Sequence, residues 1–250
     1  MIKNLIFDVY GTLVSTGKGS VKATAKIFCE FGMEENAEEI YKKWKKYHRL
    51  NTTENKGFRT EKDIFVEDLR CLFGEYGIEA DPEKKIGPML ESLYGREIFG
   101  DVKNSLEQII NKYNVAIGST TDNEPLFDSI SGTVLEKIRW IYTSEMLQKY
   151  KPNLDFYKDI LKLNHWKVEE TIFIGDSMDD DVLGPSRVGL KTIFINRKGI
   201  SDQELLKLPS VAINNMGELL PAIERMDKDL NLIGFSTNTA LRTLKKFAKR

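Results

Sequence analysis

The sequence predicts an α/β protein: a doubly wound parallel sheet of Rossmann-like type, interrupted after its first strand by an all-helical insert. Three observations carry this. A short apolar run at residues 2–8 delivers Asp8 to a turn built on Gly11 and Thr12. That is the pattern of a strand buried on both faces of a parallel sheet. From about residue 17 to 98 apolar residues recur only at helical spacing. After Gly100, strand-length apolar runs alternate with helix-length segments, and such alternation makes a parallel sheet with right-handed crossovers.

Taken in order, "NLIF" is the first strand. "SVKATAKIFCEFG", "NAEEIYKKWKKYHRL", "TEKDIFVEDLRCLFGEYG" and "DPEKKIGPMLESLYG" are helices punctuated by glycines and an Asp-Pro pair. They are rich in aromatic residues, Phe28, Phe31, Tyr41, Trp44, Phe65, Phe73 and Tyr76 among them, read mainly as the insert's own core. "VKNSLEQIINKY" is a helix, "NVAIGST" a strand and "IRWIYTSE" another strand. "NLDFYKDILKL" is a helix that begins just after Lys151-Pro152. "TIFIGDS", "DDDVLGPSRVG" and "KTIFIN" follow as strand, helix and strand, and "SVAI" and "MGELLPAIERM" close the pattern. The division is therefore residues 1–15 and 99–226 for the α/β core, 16–98 for the helical insert, and 227–250 for a basic extension. That extension carries six basic and two acidic side chains, read as a solvated terminal helix or a docking tail. An insert placed after the first strand stands over the sheet's carboxyl edge, where ligands of open α/β sheets bind.

With 250 residues the chain can bury a large core without staples. Its 41% hydrophobic and 30% charged content is that of an ordinary globular protein. A net charge of −1 supplies no field to recruit nucleic acid or a membrane surface. No apolar stretch approaches the ~18 residues of a membrane span, and the N-terminal run is too short for a signal peptide. The expectation is a cytoplasmic monomer or homodimer acting on a small molecule. Cys29 and Cys71 lie in helical segments without metal-binding spacing, and are expected as reduced core thiols.

Polar residues gather where the strands end. Asp8 and Thr12 follow the first strand, Ser119, Thr120 and Asp122 follow "VAIG", Lys151 precedes a helix, and Asp176, Asp180 and Asp181 follow "TIFIG". Parallel neighbours bring these ends together. A held, desolvated carboxylate is a nucleophile, but attack on a phosphate dianion needs a cation between the charges. Mg²⁺ takes carboxylate oxygens, carbonyls and water and bridges to phosphate. Asp8, the Tyr10 carbonyl, and Asp176 or Asp181 could form that shell. Lys151 and Ser119 could hold the oxygens of the transferred group. Asp179 and Asp180 read as first-turn acids favoured by the helix dipole. His48 and His165 have no histidine or cysteine partner nearby in sequence and read as ordinary surface or core residues.

Together "FDVYGTLV", "GST", "YKP" and "IGDSMDDDVLGPSRVG" resemble the four motifs of the haloacid dehalogenase superfamily, and the helical block resembles its cap domain. The resemblance covers residues 1 to about 224. It implies a hydrolase with Asp8 as nucleophile and Ser119, Thr120 and Lys151 binding the transferred group. It further implies Asp176 as an Mg²⁺ ligand and Asp181 as support for the metal or the lysine.

At Tyr10 the resemblance splits. Phosphatases of the superfamily carry a second aspartate there to protonate the leaving alkoxide. Tyrosine, with a pKa near 10, holds its proton too tightly. The 2-haloacid dehalogenase branch has tyrosine at this place, since halide leaves without a proton. "GDSMDDD" points the other way, because four carboxylates in six residues would weaken a nucleophile unless a cation neutralised them. The favoured expectation is Mg²⁺-dependent hydrolysis of a small phosphorylated metabolite with a good leaving group, such as an acyl phosphate. The alternatives are a metal-independent 2-haloacid dehalogenase and a weakly active or non-enzymatic scaffold of the same superfamily that binds a ligand or partner.

Overall fold

A computed structural model of the chain describes residues 1–53, 57–203 and 205–228. The basic extension beyond residue 228 lies outside the described residues. Six parallel strands form one sheet: β1 (Asn4–Phe7), β2 (Asn114–Ser119), β3 (Trp140–Thr143), β4 (Thr171–Gly175), β5 (Lys191–Ile195) and β6 (Val211–Ile213). Their order is β3-β2-β1-β4-β5-β6. The order reverses beside β1, and that reversal opens a crevice at the carboxyl edge. Phe7 pairs in register with Ile117 of β2 and Ile174 of β4. The three strand ends that carry the predicted motifs are therefore level.

The pleat sorts the strand residues. Leu5 and Phe7 join Val115, Ile117, Ile172 and Ile174 on one face of the sheet, whereas Ile6, Ala116 and Phe173 lie on the other. Between β1 and β2 come α1 (Gly19–Phe28), α2 (Ala37–Thr53), α3 (Glu61–Tyr76), the short α4 (Pro82–Lys85) and α5 (Gly87–Glu91), and then α6 (Gly100–Lys112). Helix α6 and the helix over 219–228 cover the first face through Val102, Leu106, Ile109, Leu219 and Ile223. After β2 come α7 (Asn123–Ile130), α8 (Ser144–Leu147) and α9 (Leu154–Asn164). Helix α9 covers the second face with Phe156, Tyr157 and Ile160.

Helices α1 to α5 gather their own core from Phe28, Ile40, Trp44, Phe65, Leu69 and Phe73. The rings meet edge to face, Phe28 and Phe73 at 5.8 Å between centroids, a preferred aromatic geometry. Each fully buried side chain of this size contributes roughly 1.5–3 kcal/mol from area burial, so the insert does not depend on the sheet for its core. Helix α3 is bounded as its sequence suggests. The Thr60 hydroxyl accepts from the Asp63 amide, and Gly77 closes the helix at φ 65°. The chain enters and leaves the insert side by side: the Ser15 amide donates to the Glu97 carbonyl at 2.8 Å, and the Phe99 amide to Leu13 at 3.0 Å.

One expectation is corrected. Cys29 is exposed and Cys71 only half-buried, and both are free thiols. Cys29 falls where α1 runs into a short 3₁₀ turn ending at Gly32, outside the apolar stripe of the helix. No helix among the described residues is long and apolar enough to cross a membrane.

Candidate active site

Asp8 leaves β1 at the centre of the crevice. Its amide still donates to the Ile174 carbonyl at 2.8 Å, which extends the β4 pairing by one residue and fixes the carboxylate. Lys151 Nζ lies 2.7 Å from Asp8 Oδ1 and 2.7 Å from Asp181 Oδ1, with all three side chains buried. Thr12 Oγ1 donates to Asp8 Oδ2 at 3.1 Å. The Thr12 carbonyl in turn accepts from Arg197 Nε at 2.9 Å, and the Arg197 guanidinium pairs with Asp101. Asp181 also accepts from the Ser177 amide at 2.9 Å, which aims it at the lysine. The sequence order Asp179-Asp180-Asp181 runs through a wide helical turn, Met178–Leu183, so that Asp181 turns inward while Asp179 stays outside.

Burial pushes the Asp8 carboxyl above its ordinary range; Lys151 opposes this and Asp176 adds to it. Asp181 moves up for the same first reason, against the pull of Lys151. Lys151 is held charged, because the two carboxylates outweigh its own desolvation. Asp176 approaches from β4, and Asp8, Asp176 and Asp181 can each bring a carboxylate oxygen within 4.8 Å of the others. Gly11, at φ 94°, makes room: a Cβ there would sit 2.6 Å from the Asp176 carboxylate oxygens. Lys198, from the loop after β5, places Nζ 2.6 Å from Asp176 Oδ2. Ser119 is buried at the end of β2, and its hydroxyl has no hydrogen-bond partner. Thr120 lines the same cavity.

Of the strand-end residues, Asp8, Thr12, Ser119, Thr120, Lys151, Asp176, Asp180 and Asp181 gather at this cavity, whereas Asp122 lies apart at the start of α3. Tyr10 also lines the cavity, but its hydroxyl is committed to α7. It lies 3.1 Å from both the Pro125 carbonyl and Ser129 Oγ. Its ring sits 4.7 Å from the Arg96 guanidinium carbon, and burial first of all pushes its pKa up to about 12.

The cap supplies residues that the sequence did not reveal. The cavity, about 390 Å³, is roofed by Trp44, Lys45, His48, Arg49 and Thr52 of α2 with Glu61 and Phe65 of α3. Trp44, His48 and Thr52 are spaced by four, so they share one helix face. His48 Nδ1 lies 2.8 Å from Asp68 Oδ2, and the fully buried Asp68 also accepts from Asn51 Nδ2 at 2.7 Å. Burial works against the charged imidazole, but Asp68 overcomes it and raises the His48 pKa, with help from Glu61 and Asp180. Glu61 Oε2 accepts from Thr121 Oγ1 at 2.8 Å, and burial raises its pKa. Two tethers join cap and core. Arg49 pairs with Asp180 at 2.6 Å and with Asp179 at 3.3 Å. Asp122 accepts from the Glu61 and Lys62 amides at the start of α3. The acids read as first-turn dipole partners are therefore cap contacts. The only forewarning was the period of four in "WKKYHRLNT"; the partner of His48 stands twenty residues away on another helix.

Fold and cluster together place a buried carboxylate in the crevice at the carboxyl edge of an open α/β sheet. The chain belongs to the haloacid dehalogenase-like hydrolase family, whose model matches residues 5–195. It is 33% identical over 89 residues to the glyceraldehyde 3-phosphate phosphatase of Methanocaldococcus jannaschii, a match covering 36% of this chain and 39% of that protein. The matched segment is thus less than half of that relative's length. Among solved structures, the HAD-hydrolase YfnB of Bacillus subtilis bound to magnesium superposes with a TM-score of 0.73 at 19% identity, covering 89% of this chain and 99% of that one. The L-2-haloacid dehalogenase of Xanthobacter autotrophicus superposes with a TM-score of 0.69 at 20% identity, covering 90% and 99%. These likenesses establish the shared fold.

Proposed function

We propose that the chain is an Mg²⁺-dependent phosphohydrolase that dephosphorylates a small molecule through an aspartyl phosphate on Asp8. The observation that carries this reading is the charge balance: among the described residues, three convergent carboxylates are met by two ammonium groups, Lys151 and Lys198. Such an excess next to a nucleophile suits a site that takes a hard divalent cation. The donor set fits, being all oxygen: Asp8, Asp176 and the Tyr10 carbonyl would hold Mg²⁺, with Asp181 supporting it. When bound, the ion offsets the repulsion between carboxylate and phosphate.

The chain's own residues do the rest. Thr12 and Lys151 hold Asp8 still, one on each oxygen. Lys151 and Thr120 offer donors to the phosphoryl oxygens, and so does Ser119, whose buried hydroxyl has no protein partner. Asp8 attacks phosphorus and the ester oxygen departs; water then cleaves the acyl phosphate and restores the carboxylate. Read from the first motif alone, the leaving group has to depart without a proton, as a carboxylate or an acidic phenolate does. The name of the archaeal relative, a phosphatase of a phosphorylated small molecule, supports the phosphoryl chemistry.

A second reading, 2-haloacid dehalogenation, is favoured by one observation: Tyr10 stands where phosphatases hold an acid, with Arg96 stacked on it. A panel of phosphate monoesters, acyl phosphates and 2-chloropropionate, run with Mg²⁺ and with chelator, separates the two. Phosphate release that requires Mg²⁺ and falls at least ~10³-fold in Asp8→Asn is the expected result. Chloride release insensitive to chelator, without phosphate release, would overturn the proposal.

A further inference from the structure

The remaining question is where the leaving oxygen finds a proton. In an in-line displacement the leaving group departs opposite the nucleophile. Asp8 forms the floor of the cavity, so the leaving oxygen faces the roof. Tyr10 cannot serve, since its hydroxyl is bound to α7. Among the roof residues, lysine and arginine hold their protons too tightly near neutral pH. His48 does not. Its Nδ1 is fixed on Asp68, and Asn51 fixes Asp68 in turn. The ring makes its hydrogen bond through Nδ1, and His48 lines the cavity. An orienting carboxylate on one imidazole nitrogen leaves the second free for proton transfer. The α2 face that carries His48 is pinned above the reacting centre by Arg49 on Asp180, the neighbour of Asp181.

We propose that His48, oriented by Asp68 and Asn51, is the general acid that protonates the leaving group, so that the cap restores the proton donor missing at Tyr10. This rests on the phosphohydrolase reading and extends its substrates to ordinary alkyl phosphate monoesters. As the Asp8–phosphorus bond forms, the phosphorus–ester oxygen bond breaks, and that oxygen takes the Nε2 proton to leave as an alcohol. The imidazole is left neutral. Water then attacks the aspartyl phosphate, the acyl phosphate bond breaks, both protons of the water leave on the released phosphate, and the Asp8 carboxylate is restored while Nε2 regains its proton from solvent. The charged groups facing His48 are Asp68 and Glu61 of α3 and Asp180 of the core. All three favour the imidazolium, the form a proton donor needs at neutral pH.

The test compares His48→Gln with wild type on an alkyl phosphate, glycerol 3-phosphate, and on p-nitrophenyl phosphate, whose leaving group needs no proton. The expected result is a fall of ~10²–10⁴-fold in kcat for the alkyl ester, the usual span for a general acid, with p-nitrophenyl phosphate changed less than about threefold. Asp68→Asn should move the descending limb of the alkyl-ester pH profile to lower pH, an effect that a merely structural role would not produce. Equal losses on both esters, or a leaving-group-selective loss in Glu61→Gln but not in His48→Gln, would overturn the assignment while leaving the phosphohydrolase reading intact. Absence of Asp8-dependent phosphate release from every ester in wild type would overturn both.

Discussion

Replacing Asp68 by Asn keeps the shape of a fully buried side chain and removes one charge. In wild type the carboxylate accepts from His48 Nδ1 at 2.8 Å and Asn51 Nδ2 at 2.7 Å. An amide can satisfy one of these donors, but it turns its own NH₂ toward the other. Hydrogen bonds to charged groups are worth about 1.5–3 kcal/mol, and breaking a buried pair costs about 3–5 kcal/mol. The His48 side chain is 29% exposed, which screens the pair, so a loss of about 2–3 kcal/mol is expected at pH 6. The loss depends on pH in a definite direction. The folded-state pKa of His48 is raised above its unfolded value of about 6.5. Its contribution is therefore complete below that value and is lost as pH rises through the folded pKa. Asp68→Asn removes the carboxylate that raises it, so the penalty should shrink towards about 1 kcal/mol as pH rises through the folded pKa, above which wild type keeps only a hydrogen bond from neutral imidazole. Urea unfolding followed by circular dichroism, at pH 6 and in steps upward through the titration of His48 followed by NMR, measures both numbers. A penalty that is the same on both sides of that titration, or larger above it, would refute the charged His48–Asp68 pair.

Two further outcomes follow from the site. Tyr10→Phe deletes a hydroxyl that hydrogen-bonds to the Pro125 carbonyl and Ser129. It should cost about 1 kcal/mol of stability yet leave kcat for p-nitrophenyl phosphate within about twofold, as steady-state kinetics would show. Lys198→Met removes an exposed ammonium that competes for Asp176. Calorimetric titration should find Mg²⁺ bound several-fold more tightly, with a gain of no more than about 1 kcal/mol because the lysine is solvent-screened.

The floor of the site was legible because of the sheet's geometry. Residues at the ends of level parallel strands must converge, so Asp8, Ser119, Lys151, Asp176 and Asp181 could be assembled from a strand pattern alone. The roof was not legible. Trp44 and His48 obey the same helical period as ordinary core residues, and nothing local to His48 announces Asp68. The pairing of Arg49 with Asp180 depends on how the insert leans over the sheet, which no sequence spacing encodes. Lys198 was missed for a similar reason, since it follows a strand that carries no motif. The cysteines misled because an apolar residue type inside a helical stretch says nothing about which side of the helix it occupies.

The adjoining entry and exit of the insert, clasped by Ser15 to Glu97 and Leu13 to Phe99, have a consequence for descent and engineering. A module with its own core, spliced through one two-stranded neck, can be exchanged for another without disturbing a single strand pairing of the sheet. The nucleophile on the sheet and the residues that roof it can thereby be changed separately. A transplanted roof would keep the Asp8 reaction and bring a different clientele, and in this chain it would also carry off the proton donor.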